Sequence, residues 1–121
     1  MSTKSPECYT TEPQARCLRV EISPGRSLLL PLDQFVFAEF TNDEKEQLLH
    51  LSFASHEVMV RGHALRRIET ALHKLELSFL MALPAKYHSL VPDGQPKIRE
   101  IVVTENKPPV QVAETGFLRE N

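Results

Sequence analysis

The chain has 121 residues, 41% of them hydrophobic and 25% charged, with a formal net charge of -2. That length suffices for one hydrophobic core without a metal or disulfides, and the small negative charge excludes a global attraction to nucleic acid or anionic membrane. No segment approaches a membrane span, and the polar stretch Met1 to Arg16 lacks the apolar run of a secretion signal, so a cytoplasmic protein is expected.

Residues 1–15, with Pro6 and Pro13 but few large apolar side chains, read as a flexible leader outside the core. Cys8 falls in this leader and Cys17 at the start of the first strand. Eight residues separate them, which makes neither a C-x-x-C half-site nor a disulfide framework, so both are expected as reduced thiols. Leu18, Val20 and Ile22 alternate with Arg19, Glu21 and Ser23, predicting a half-buried strand, and Pro24-Gly25 turns it back. The return runs over Ser27 to Leu32, where Pro31 removes a ladder donor and favours a sheet edge or a bulge.

Gln34 to Phe40 predicts a third strand, with Phe35 and Phe37 on one face and Val36, Ala38 and Phe40 on the other. Apolar side chains on both faces call for cover on both sides or for an interface. After the polar connector Thr41 to Glu46, Leu49, Leu51 and Phe53 alternate inward, Ser55-His56-Glu57 marks a turn, and Val58 and Val60 form a short strand ended by Gly62.

There the rhythm changes. Leu65, Ile68, Leu72 and Leu75 recur at helical spacing, flanked by Ala64 and Ala71, while His63, Arg66, Arg67, Thr70, His73 and Lys74 take the opposite side. A helix from His63 to Leu75 follows. Leu75, Leu77, Phe79, Met81 and Leu83 then alternate as a strand would until Pro84. Pro92-Asp93-Gly94 is a turn, Ile98 to Val103 a final strand, and residues 106–121 an extended tail with Lys107-Pro108-Pro109.

These elements predict a single α+β domain over residues 16–105: an antiparallel β-meander, one main helix packed on the sheet, and one or two further strands. The chain carries no motif specific enough to name a family.

No catalytic constellation, metal site or cofactor motif is legible. H-E-x-x-H is absent because Val60 stands where the second histidine would be, and His56 and His63 bracket a strand at opposite ends, about 20 Å apart. His50 and His73 read as solvated, and Glu69 with His73 as a surface pair at helical spacing. Ser55, His56 and Glu57 are consecutive, which gives a turn rather than a relay. The four glycines form no phosphate cradle.

Two features remain. The apolar excess of Phe35, Phe37 and Phe40, together with Leu77 and Phe79, exceeds what one helix on one sheet covers, and predicts a surface for another copy or another protein. Arg61, Arg66, Arg67 and Lys74 offer a basic face able to meet phosphates. The leading expectation is therefore a non-enzymatic protein-interaction or self-associating module. Its alternatives are a nucleic-acid-binding module using the basic face and an enzyme whose polar residues, around His50, His56 or Glu57, converge only in the fold.

Overall fold

A computed structural model describes residues 7–106. The described residues form eight strands and one main helix in the order β1 (Tyr9–Thr11), β2 (Cys17–Ser23), β3 (Arg26–Pro31), β4 (Phe35–Asn42), β5 (Gln47–Phe53), β6 (His56–His63), α1 (Arg66–His73), β7 (Leu77–Leu80) and β8 (Lys97–Glu105). A 3-10 turn at Leu32–Gln34 precedes β4, and another at Ala85–Leu90 follows β7.

The strands build two four-stranded sheets, ordered β1-β7-β2-β3 and β4-β5-β6-β8. This corrects the expected α+β arrangement of one sheet beneath one helix: the chain is mostly β, and α1 is a minor element. The correction has a topological cause. Strands β4, β5 and β6 form the expected antiparallel meander, but β7 leaves it and inserts between β1 and β2, running parallel to β2 at Arg19–Phe79 and Val20–Leu80. The chain then returns as β8 against β6. Alternation along a strand shows which face is buried but carries no mark of which sheet the strand joins.

The inner faces share one core. Leu18, Val20, Leu30 and Leu80 from the first sheet meet Leu49, Leu51, Phe53, Val58, Val60 and Ile98 from the second, with Leu65, Ile68 and Leu72 around the helix. Helix α1 touches β4 of one sheet and β7 of the other, so it bridges the two sheets. It begins at Arg66, three residues later than expected, because β6 continues through His63 on its ladder with β8 and Ala64 then takes a left-handed φ of 58°. The side-chain oxygen of Gln47, at the start of β5, accepts the Leu65 backbone N–H at 2.8 Å at the helix entrance.

The helix also stops earlier. The Leu75 N–H bonds the Leu72 carbonyl and the Glu76 N–H bonds the Ala71 carbonyl, both at 2.9 Å, with Leu75 itself at φ 55°. This is a Schellman termination with leucine where glycine is usual. Leu75, expected on the buried stripe, is consequently turned outward and 49% exposed.

Two further departures arise from bulges. In β7 the pairing with β1 slips between Thr10 and Thr11, so Leu77 and Leu80 are buried while Phe79 stays half-exposed. The even alternation through Leu77, Phe79 and Met81 is broken. In β4 the ladder with β5 steps from Phe35–Phe53 to Phe37–Ser52, leaving Val36 as the extra residue. Phe35, Ala38 and Phe40 then pack against the core, and Val36 and Phe37 both project outward.

The leader expected over residues 1–15 is part of the fold from Cys8 onward. Cys8 is fully buried, its thiol donating to the Pro96 carbonyl at 3.3 Å, and Tyr9–Thr11 extends the first sheet. Burial pushes the Cys8 thiol up to about 11, which keeps it protonated and unreactive. The tail over residues 107–121 lies outside the described residues. Among the described residues, no helix is long and apolar enough to cross a membrane.

Candidate functional site

The outer face of the second sheet is the surface that the fold leaves open. Pairing registers fix its rows: Phe37, Ser52, Glu57 and Thr104 lie across one, Glu39, His50, Met59 and Val102 across the next, and Thr41, Leu48, Arg61 and Glu100 across the third. Each is the off-beat residue of a strand whose alternate residues fill the core. The face is amphipathic. Phe37 is 48% and Val102 43% exposed, with Leu48 and Met59 half-buried between them.

A polar cluster separates Phe37 from Met59 and Val102. The His50 Nε2 and a Glu57 carboxylate oxygen are 2.5 Å apart, the Ser52 hydroxyl donates to the other Glu57 oxygen at 3.0 Å, and the Asn106 amide donates to that same oxygen at 2.9 Å. Asn106 is itself held by its backbone N–H on the Ser55 carbonyl. Burial pushes the Glu57 carboxyl up, but the hydrogen bonds from Asn106, His50 and Ser52 outweigh it and hold the group below the ordinary range. Phe37 meets the His50 ring edge-on, with centroids 5.6 Å apart.

Serine, histidine and glutamate thus meet, though not as a nucleophilic relay. Glu57 sits between the other two, so no hydrogen bond joins the Ser52 hydroxyl to an imidazole that would take its proton. A second pair brings the Ser55 hydroxyl and the His56 Nδ1 to 2.7 Å. Among the described residues no carboxylate hydrogen-bonds His56: Glu57, the next residue of β6, projects to the opposite face, and Glu105, across the ladder, makes no bond to it. Five surface clefts stand out, and none of them is lined by His50, Ser52 or Glu57. Among the described residues, no three His, Cys, Asp or Glu side chains converge as metal ligands.

The residues expected to form an interaction surface divide sharply. Phe37 is on the open face, whereas Phe35 and Phe40 pack inward, Leu77 is fully buried, and Phe79 is half-covered on the outer side of the first sheet. Phe35 instead meets Phe53 edge-on at 5.5 Å. Val36, 62% exposed, is a surface residue that sequence reasoning assigned to the opposite face from Phe37. Only its position at a bulge, which depends on the partner strand, brings the two together.

The basic set disperses as well. Arg61 lies on the open face within 3.7 Å of Glu100, while Arg66 pairs with Glu69 at 3.2 Å and stacks on Phe40, 4.1 Å from its ring centre. Arg67 and Lys74 line a separate groove with Tyr9, Thr11, Thr70 and Glu76. His63 and His73 are exposed at the ends of β6 and α1. Arg61 therefore stands apart from the other three cations, which share one side of α1 and its C-cap. Compared with known proteins, the chain matches no family model, no curated protein and no solved structure.

Proposed function

We propose that this chain is a non-enzymatic protein-interaction module whose binding surface is the outer face of the second sheet together with its β4 edge. One observation carries the reading: the β4 bulge turns two consecutive apolar residues, Val36 and Phe37, outward at a sheet edge, on the same face as the apolar group Leu48, Met59 and Val102, from which His50 and Ser52 separate them. Surface apolar residues are ordinary when scattered, but these two groups share one face with Glu39, His50, Ser52, Arg61 and Glu100 between and around them, the mixed composition of an interface. The two unpaired thiols, Cys8 and Cys17, support a reducing, cytoplasmic setting.

Catalysis has less support, because the polar cluster lies on an open face and its hydrogen bonds run to Glu57 rather than through a histidine. Nucleic-acid binding has less support too, since Arg61 and Arg66 are ion-paired with Glu100 and Glu69, and Arg61 lies on the sheet's outer face apart from Arg66, Arg67 and Lys74 on α1 and its C-cap.

Photo-crosslinking residues placed at 37, 59 and 102 test the reading in cells. Discrete adducts are expected at these positions and not at Leu29, an exposed apolar residue of the first sheet. Equal labelling at Leu29, or no adduct at the three positions, would overturn it.

A further inference from the structure

The two sheets present four edges, and they are not equally protected against pairing with another strand. β1 is only three residues long, β3 begins with Arg26 and ends on Pro31, and β8 carries Lys97, Arg99, Glu100 and Glu105. Shortness, proline and charge are the usual means of blocking an edge. β4 has eight residues, FVFAEFTN, with no proline and one charge, Glu39. The Val36 bulge disturbs its first residues, which leaves Phe37 to Asn42 in regular register with β5 and the opposite side of the strand without a partner among the described residues.

Glu39 limits what pairs there. In an antiparallel pair, residues directly opposite lie on the same face of the sheet, so two copies of β4 pair symmetrically only about an axis through a residue. The axes that use most of the regular stretch pass through Glu39 or Phe40. The first sets Glu39 directly opposite the Glu39 of a second copy, and the other sets the two on the diagonal, within about 8 Å in either case. Like charges so placed oppose pairing. Glu39 is exposed and makes no ion pair among the described residues, so nothing there offsets the repulsion.

Resting on the reading above, and naming the partner for the same surface, we propose that β4 accepts an extended segment of another protein by strand addition. That segment carries a lysine or arginine facing Glu39 and an apolar side chain beside Phe37, and Glu39 acts as the gatekeeper that prevents β4 from pairing with its own copy. Main-chain hydrogen bonds would supply the attachment and the Glu39 carboxylate the selection.

The chain itself provides a defined probe. Wild type and the Glu39→Lys variant, each full length and each checked for unchanged thermal unfolding, are studied alone and mixed by sedimentation velocity at high micromolar concentration. Each is expected to remain monomeric alone, and the mixture to form a one-to-one complex that weakens in high salt. Adding Ala38→Pro to either partner, which removes a donor that faces the open edge because the Asp43–Glu46 hydrogen bond sets residues 37, 39 and 41 as the ones bonded to β5, should return the mixture to monomers. Glu39→Gln alone should self-associate. A monomeric mixture, a wild type that dimerises as strongly as the mixture, or a complex indifferent to Ala38→Pro would each overturn the proposal. Crosslinking at 37, 59 and 102 would survive those outcomes, since an outer-face partner need not add a strand.

Discussion

Glu57 shows how much a single residue owes to its surroundings. In sequence it is a turn residue beside His56; in the fold it collects Asn106, His50 and Ser52 on one carboxylate. Its depressed folded-state pKa means that the unfolded chain binds the proton more readily. The stabilisation is therefore present above the ordinary glutamate range, about 4.3, and is lost as pH falls through the lower folded value. Glu57→Gln should flatten the acid limb of the stability curve relative to wild type, measured by urea unfolding at a series of pH values below about 5. An unchanged acid slope would show that the cluster contributes no linkage. The alternation of β5 already put His50 off the core-facing beat, whereas Glu57 reads as a turn residue, and their pairing follows from the register between β5 and β6, which local sequence does not state.

Gly62 is legible in another way. The sequence marks it as the end of a strand, yet β6 continues past it, and its lack of a side chain answers a close approach: a Cβ there would lie 1.9 Å from the Lys97 carbonyl oxygen. The glycine lets β8 close on β6 at the step where their pairing slips.

At the scale of elements, the termination of α1 is the clearest case of local preference yielding to context. A leucine in left-handed conformation costs roughly 1–2 kcal/mol, and Leu75 holds that geometry while half-exposed. Leu75→Gly should stabilise the chain by about 0.5–1 kcal/mol, read as a raised urea midpoint with an unchanged slope. Leu75→Ala should not, because alanine retains the unfavourable φ. A destabilised glycine variant would mean that the side chain contributes more than its exposure suggests. The helical periodicity placed Leu75 on the buried stripe with Leu65, Ile68 and Leu72, and three of those four positions hold. It erred where the chain reverses to enter β7. Bulges in β4 and β7 misled the period-two reading for a similar reason: one extra residue inverts every face assignment beyond it.

For the whole molecule, the first sheet depends on residues that composition places outside the core. β1 shields one side of β7, and Cys8 fills the shared interior, so a chain beginning at residue 16 should lose about 2–5 kcal/mol and expose the edge of β7. Thermal unfolding and light scattering of that truncation would show a lower midpoint and aggregation, and a midpoint equal to the full chain would refute the assignment. The two-sheet design also explains the apolar excess: most of it fills a core closed by both sheets and α1, with Phe35, Phe40 and Leu77 all on its inner side. Val36 and Phe37 remain exposed together at the β4 edge, while Leu29, Leu75, Leu90 and Val102 are exposed at other positions.

The sequence by itself determined where most strands and the helix lie, which residues of β2, β5 and β6 face inward, and that no familiar reactive motif is present, because side-chain periodicity is a local consequence of backbone geometry. Only the tertiary structure decided that the strands divide into two sheets, that β7 runs parallel to β2, and that Phe37 joins Val36 outside while Phe35 and Phe40 turn in. Those outcomes depend on pairing between segments distant in sequence, where the choice of partner and a single bulge redirect side chains without changing the local pattern.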